Sequence, residues 1–165
     1  MIQVRVAGVA LDPTGQHVIL LKPIDEIPGE GRILPIWIGQ QEATSILIAV
    51  EGAVAPRPLA HDLMRTLLDT LGATVTGVAV TRIEDGTFYA EVTLSTHLGE
   101  RIVDSRPSDA VALASRVAAP MWVAEDVMED AGVPDNITEN EEEADERLDE
   151  FKRFLDDVDP EDFAG

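Results

Sequence analysis

The chain has 165 residues, of which 45% are apolar, and this is enough for one ordinary domain with its own core. It contains no cysteine, so disulfides and thiolate metal sites are excluded. The amino terminus, MIQVRVAGVA, alternates instead of placing a long apolar run after a basic segment. No apolar run approaches the ~18 residues that span a bilayer, so we expect a cytoplasmic protein without a membrane partner.

The formal charge is -20, which argues against nonspecific affinity for nucleic acids because such affinity rests on cations. The charge is uneven. Residues 1–124 hold 9 Lys and Arg against 14 Asp and Glu, a net of -5, whereas residues 125–165 hold 3 against 18, a net of -15. The body is therefore only mildly acidic and can accept a phosphate ligand, particularly where a divalent cation mediates the contact.

The beginning of the chain predicts three strands. IQVRVAGVALD alternates at a period of two, and HVILLKPI follows the turn-forming cluster PTGQ, so we expect a β-hairpin. RILPIWIG predicts a third strand. Its Pro35 suggests an edge position or an irregular strand, because proline donates no ladder hydrogen bond.

Two helices are expected next. From Gln40 the apolar period becomes helical, and Gly52 closes the segment. A second helix is expected from about Leu59 to Leu71. Its apolar stripe comprises Leu63, Met64, Leu67, Leu68 and Leu71.

The middle of the chain predicts a second hairpin and a third helix. TVTGVAVTRI and FYAEVTLS flank EDGT, whose Asp-Gly pair is a strong hairpin signal. ERIVD predicts another strand, and a helix is expected from Pro107 to about Ala118. PMWVA and EDVMEDAG predict a short strand and a helix, which complete a first unit over residues 1–132.

Residues 133–165 have a different composition. They form an acidic linker and then a pattern, LDEFKRFLDDV, whose apolar residues have helical spacing, so an acidic amphipathic carboxy-terminal helix is expected. Such a segment could solubilise the protein, or it could lie over the basic residues of the body and compete with nucleic acid.

Polar residues gather at the three predicted helix starts, where backbone N–H groups are unpaired and anions are favoured. They are Glu42 at the first start, Arg57, His61 and Asp62 at the second, and Asp104, Arg106, Ser108 and Asp109 at the third. The sequence has no Gly-rich phosphate loop, no nucleophile elbow and no His pair at i, i+4, so a zinc site is not expected.

Each of these residues also has a structural interpretation. Glu42 can complement the helix dipole, and Asp62, opposite the leucine stripe, is expected to be solvated. His61, at the edge of the stripe, is typical of a half-buried, hydrogen-bonded histidine. Asp109 fits the N3 position of a capped helix, and Arg106 could simply pair with a carboxylate. Taken one at a time, the residues favour structure.

Three stretches together resemble the bifunctional nuclease domain family: LPIWIGQQEATSILIAVEG, PRPLAHDLMRTLLDTLGATVTGVAVTRIEDGTFYAEVTL and RIVDSRPSDAVALASRVAAPMWVAEDVMEDAG. The resemblance covers roughly residues 1–132. It implies a single α+β domain with a mixed or mainly antiparallel sheet wrapped by helices, and the degradation of both DNA and RNA. The family's characteristic residues fall here on Glu42, His61, Asp62, Asp104, Arg106, Pro107, Ser108 and Asp109. Many members have threonine where this chain has Ala60, so a contribution of that hydroxyl is absent here.

The first hypothesis is therefore a metal-dependent nuclease with nucleic acid as its substrate. Carboxylate oxygens are the ligands that Mg²⁺ or Mn²⁺ requires, and such a metal polarises a phosphodiester and activates water. Glu42, Asp62, Asp104 and Asp109 would hold or orient the metal, His61 would act as base or position water, and Arg57, Arg106 and Ser108 would hold phosphate.

The second hypothesis is a non-catalytic regulatory or anion-binding module, in which the same carboxylates and arginines form a structural ion network. Spacing alone does not separate the two hypotheses. Assembly into a homo-oligomer also stays open at this point.

Overall fold

The computed structural model describes residues 1–136 and residue 153. The strands run over β1 Ile2–Leu11, β2 His17–Pro23, β3 Arg32–Ile38, β4 Thr74–Glu84, β5 Thr87–Thr96, β6 Gly99–Ser105, β7 Met121–Val123 and β8 Val133–Pro134. The helices are α1 Gln40–Glu51, α2 Ala60–Thr70, α3 Pro107–Val117 and α4 Glu125–Ala131. Every element expected before residue 132 is present. The predicted carboxy-terminal helix lies outside the described residues.

Within residues 1–136, eight strands form one sheet in the order β6-β5-β4-β7-β1-β2-β3-β8. All neighbours are antiparallel except β4 and β7, which run parallel. The short β7 joins the two predicted hairpin units into one sheet. The chain therefore folds as a single α+β domain with a mixed, mainly antiparallel sheet, as expected.

Local turn chemistry explains the second hairpin. Asp85 and Gly86 connect β4 to β5 with φ of 49° and 78°, a left-handed pair that glycine tolerates and aspartate accepts in tight turns. The expectation for Pro35 is also confirmed. Pro35 pairs with Leu20 of β2 on one side. On the other side, β8 pairs with β3 only at Arg32 and Ile33, so β3 is an edge strand at Pro35.

The helices pack on the sheet around an alanine-rich α3. Its Ala110, Ala112 and Ala114 are almost fully buried, and these small side chains let α3 approach α1, β4 and β5 closely. The main core lies between α1, α3, α4 and the centre of the sheet, with Ile46 and Val123 completely buried. A smaller core lies between α3 and the hairpin of β4 and β5.

Helix α2 departs from expectation. Its stripe residues Leu63, Leu67 and Leu71 are 52%, 52% and 70% exposed, and His61 is the buried residue of this helix. The opposite side of α2 faces α3, where Arg116 offers hydrogen-bond donors to Asp62. The expectation that Asp62 is simply solvated was therefore wrong, because a specific cation outweighed the pull of the leucine stripe.

The chain also stays on the body beyond residue 132. β8 pairs with β3, and Asp135 accepts a hydrogen bond from Lys22 Nζ at 2.6 Å with both side chains fully buried. Lys22 Nζ also donates to the Glu30 carbonyl at 2.6 Å. In the described part of the chain, no helix is long and apolar enough to cross a membrane.

Candidate active site

The starts of α1, α2 and α3 meet at one place on the molecule. Arg106, the N-cap of α3, donates from Nη2 to Glu42 of α1 at 2.9 Å and from Nε to Asp109 at 2.8 Å. The other oxygen of Asp109 lies 2.8 Å from His61 Nε2 of α2. Three residues distant in sequence thus become neighbours around Asp109, as the first hypothesis requires.

The contacts continue on the far side of the imidazole. Ser45 Oγ lies 2.6 Å from His61 Nδ1, and Arg116 Nη2 donates to Ser45 Oγ at 2.9 Å. Arg116 Nε donates to Asp62 at 2.7 Å. One continuous set of polar contacts, hereafter the site network, comprises Glu42, Ser45, His61, Asp62, Arg106, Asp109 and Arg116.

The network assigns a proton position on the imidazole. Since Arg116 donates to Ser45 Oγ, the serine hydroxyl is free to donate to His61 Nδ1, and His61 Nε2–H then donates to Asp109. With the proton on Nε2, each of these groups has a hydrogen-bond partner. His61 is 5% exposed and both of its nitrogens are engaged, so it reaches solvent only through Asp109.

The surroundings of two carboxylates of the network, Asp109 and Asp62, favour their ionised form. Burial raises the pKa of Asp109, but hydrogen bonds from Arg106 and His61 outweigh it and hold the pKa below its ordinary value. For Asp62, burial again raises the pKa, while Arg116 and the Leu59 backbone N–H lower it by more. Conversely, the bonds to Asp109 and Glu42 raise the pKa of Arg106.

The two arginines differ in accessibility. The side chain of Arg116 is 4% exposed, and its guanidinium makes four hydrogen bonds, including two to the carbonyls of Ser45 and Ala112. The side chain of Arg106 is 64% exposed, and its Nη1 makes no hydrogen bond within residues 1–136. Arg106 can therefore receive an anion from solvent, whereas Arg116 is a structural cation.

Not all predicted residues join the network. Ser108 is buried in the first turn of α3. Asp104 lies beside the network, on the rim of a groove with Arg106 and Asp109, and its carboxylate makes no ion pair within the described chain. Arg57 is exposed in the loop before α2 and makes no side-chain contact with the network residues.

The donor set does not fit a preformed Mg²⁺ or Mn²⁺ centre. Asp62 forms an ion pair with Arg116, and Arg106 bridges Glu42 and Asp109. Each of the three carboxylates that would bind a metal therefore already accepts an arginine N–H group. Across residues 1–136 and 153, no group of three His, Asp or Glu side chains is arranged to hold a metal ion. The metal hypothesis stays a prediction.

Two clefts flank α2. A groove of about 620 Å³ lies between α2, β5 and β6, is lined mainly by leucine and valine, and ends at Arg106 and Asp109. A second cleft of about 430 Å³ lies on the opposite side, between α2, the end of α1 and the end of α3, with Asp62 and Arg116 at its base. The groove is therefore the cleft that borders the exposed cation of the network.

Sequence reasoning missed Ser45 and Arg116. Both were accessible to a periodicity argument. Ser45 stands three residues after Glu42 and Arg116 seven residues after Asp109, so each shares a helical face with a residue already predicted for the site. An arginine in the last turn of an alanine-rich helix also fits simple dipole compensation, and this interpretation conceals its role.

Comparison of the sequence with known proteins identifies the family of this chain. Residues 20–136 match the model of the bifunctional nuclease domain. An uncharacterised protein of Mycobacterium tuberculosis is 42% identical over 169 aligned positions, covering 98% of this chain and 97% of the relative. Bifunctional nuclease 2 of Arabidopsis thaliana is 30% identical over 109 positions, and Bifunctional nuclease 1 of Oryza sativa subsp. japonica is 27% identical over 115.

The chain covers about a third of each plant relative, 32% and 34% respectively, and 64% and 68% of its own length takes part. The match to the family model includes every residue of the site network and continues through Asp135. On this evidence the chain belongs to the bifunctional nuclease domain family.

Proposed function

We propose that this protein hydrolyses phosphodiester bonds in DNA and RNA at the site network. The observation that carries the proposal is the presentation of Arg106. Two carboxylates from different helices hold its guanidinium, while its side chain is 64% exposed and lines the groove. A fixed, exposed guanidinium matches the geometry of a phosphate, and its charge would stabilise negative charge that develops during hydrolysis.

Asp109 would be the residue that handles the proton. It is 25% exposed at its side chain, ionised, and hydrogen-bonded to both Arg106 and His61. A water between Asp109 and a phosphate on Arg106 would pass its proton to the carboxylate as its oxygen attacks phosphorus. The P–O bond to one sugar oxygen would then break, the leaving oxygen would take a proton from solvent, and Asp109 would release its own proton to solvent. His61 and Ser45 would then be positioning residues, because they hold Asp109 without reaching solvent.

Membership of the family, and the similarity to plant proteins named bifunctional nucleases, support a nucleic acid substrate. The prediction that Mg²⁺ or Mn²⁺ takes part is independent of these roles. None of them involves a metal, because Glu42, Asp62 and Asp109 are already paired with arginines. The same assay tests it. Loss of activity in EDTA, with recovery on adding Mg²⁺ or Mn²⁺, would support a metal, and unchanged activity in EDTA would refute it.

The experiment compares the purified wild type with Arg106→Gln, Asp109→Asn and the control Arg82→Gln on fluorogenic DNA and RNA. Arg82 is also exposed and paired, to Glu84 at 3.0 Å, but lies outside the network. We expect the first two variants to lose about 100-fold or more in kcat/KM, as for other removed charge stabilisers, and the control to keep wild-type activity. Equal activity in all four proteins would assign the cleavage to a contaminant.

A second candidate, a non-catalytic module with a structural ion network, is favoured by the complete pairing of Glu42, Asp62 and Asp109 with arginines. The two candidates separate on stability and activity measured together. A structural network predicts that Asp109→Asn is strongly destabilised and that no preparation cleaves nucleic acid. Cleavage by the wild type that Asp109→Asn loses while it remains folded excludes this candidate.

A further inference from the structure

Strand β6 is a regular strand with a free edge. It is the last strand on its side of the sheet within the described residues, and it pairs with β5 from Gly99 to Ser105 without a register shift. Six of its seven residues are exposed, among them Ile102 at 60% and Val103 at 47%. Proteins usually protect such an edge with proline, a bulge, charged side chains or a covering element, and β6 has no proline and no bulge but carries Glu100, Arg101 and Asp104.

The groove beside β6 is apolar as well. Val103 faces it together with Leu94, and the exposed leucines of α2, Leu67 and Leu71, form its opposite wall. A continuous apolar surface of this kind next to an open strand edge is typical of a protein interface. The edge offers backbone hydrogen bonds and the groove offers apolar surface to the same partner.

We propose that the partner is a second copy of this chain, whose β6 pairs antiparallel with this β6 about a two-fold axis through Val103. Because side chains alternate between the faces of a sheet, a two-fold continuation of the sheet must be centred on a residue. Centring on Arg101 would oppose two arginines, and centring on Ile102 would oppose Glu100 to Asp104. Centring on Val103 instead opposes Arg101 to Ser105 and Ile102 to Asp104, with no two like charges opposite each other within β6, so charge selects this register.

This register adds a residue to the proposed active site. The partner's Arg101 falls opposite Ser105, one position before Arg106, on the face of the sheet that borders the groove. In the single chain, Arg101 donates only to the neighbouring Glu100 carbonyl, at 2.8 Å, so its charge is not neutralised by an ion pair within the described residues. This step rests on the proposed function: the partner's Arg101 would be a second phosphate-binding cation at each site.

The chain's own carboxy-terminal segment fits the groove less well. The described residues 1–136 end just after β8, at the opposite edge of the eight-stranded sheet. At the usual strand spacing this edge lies about 34 Å from β6. Residues 137–165 also carry 13 Asp and Glu against 3 Lys and Arg, and the groove ends at Asp104 and Asp109. A second copy brings the cation Arg101 to that end of the groove instead.

The absence of cysteine makes the register directly testable. Directly opposed residues of antiparallel strands lie about 4.5–5.5 Å apart at Cα, within disulfide range. Val103→Cys should therefore form a reducible covalent dimer in the full chain. Arg101→Cys alone should not, because its two copies lie ~13 Å apart, whereas mixing Arg101→Cys with Ser105→Cys should give a crosslinked heterodimer. Val54→Cys, at a 93% exposed loop residue, measures random collision.

Sedimentation of the uncrosslinked wild type should give twice the 17.8 kDa chain mass. Val103→Asp, which opposes two carboxylates at the axis, should weaken the dimer about 100-fold or more, and folding is checked by circular dichroism. A monomeric wild type overturns the proposal, whether residues 137–165 or nothing covers the groove. Crosslinking of Val103→Cys no faster than Val54→Cys overturns the register. None of these readouts depends on nuclease activity.

The contribution of Arg101 is tested by complementation. Arg101→Ala and Arg106→Ala should each be inactive alone, but a mixed dimer keeps one complete site. An equal mixture after subunit exchange should recover about a quarter of wild-type activity, since half of the dimers are mixed and each has one working site. A crosslinkable dimer without recovery would show that Arg101 does not serve the partner's site, while an inactive wild type would instead refute the proposed function.

Discussion

The clearest quantitative expectation concerns Arg116, the buried end of the site network. Its guanidinium makes four hydrogen bonds and its side chain is 4% exposed. Arg116→Met preserves much of the apolar stem but leaves the Ser45 carbonyl without this donor and Asp62 without its cation. Breaking a buried pair costs about 3–5 kcal/mol, and because water can reach Asp62, which is 37% exposed, we expect about 3 kcal/mol here.

Urea denaturation followed by far-UV circular dichroism measures this loss. The matched control is Arg65→Met. The Arg65 side chain is 53% exposed, lies 3.9 Å from Asp69 and donates an exposed 3.3 Å hydrogen bond to the Arg116 carbonyl, and such surface contacts together contribute roughly 1 kcal/mol. A double-mutant cycle with Asp62→Asn should show a coupling above about 0.5 kcal/mol. If Arg116→Met destabilises the protein no more than Arg65→Met, the network is not the structural anchor of α2 on α3.

Three further outcomes are expected. Asp135→Asn should cost about 3–5 kcal/mol because it breaks a fully buried pair with Lys22, whereas Glu26→Gln, 3.8 Å from the same ammonium but partly exposed, should cost under about 1 kcal/mol in the same urea assay. The pKa values of Asp62 and Asp109 lie below the ordinary 3.8 in the folded protein. Their contribution to the unfolding free energy is therefore complete above pH 3.8 and is lost as the pH falls through the folded pKa values. Asp109→Asn should flatten the decline in unfolding free energy below about pH 4. A Cβ on Gly39 would lie 2.2 Å from a Glu42 carboxylate oxygen, so Gly39→Ala should displace Glu42 from Arg106. If the proposed nuclease function holds, cleavage should fall, at a cost of about 1 kcal/mol or less in unfolding free energy.

Much of the fold was predictable because its signals are local. The Asp85-Gly86 turn, the strands that it joins and the three helix starts follow from turn chemistry, period and capping alone. β8 was not predictable, because two residues carry no period. The pair of Lys22 and Asp135 spans 113 positions, so only the folded chain reveals that the acidic segment begins with a buried anchor.

The site was predictable in its members but not in its pairing. Sequence placed Glu42, His61 and Asp109 at helix starts, and the structure brings these starts together. The pattern could not tell which face of α2 is buried, because a leucine stripe normally faces the core. Here Leu63, Leu67 and Leu71 are exposed and only Leu68 of the stripe packs on the smaller core, while the ion pair of Asp62 with Arg116 holds α2 to α3.

The outward leucines and the ion pair are two consequences of one orientation of α2. Turning the helix to bury its leucines against its own body would move Asp62 away from Arg116 and His61 away from Asp109, and would dismantle the network. The orientation of α2 that forms the site network leaves Leu67 and Leu71 exposed in the groove, next to the exposed Arg106. A second copy that covers this surface and adds Arg101 would offset both the exposed leucines and the scarcity of cations in a chain of charge -20.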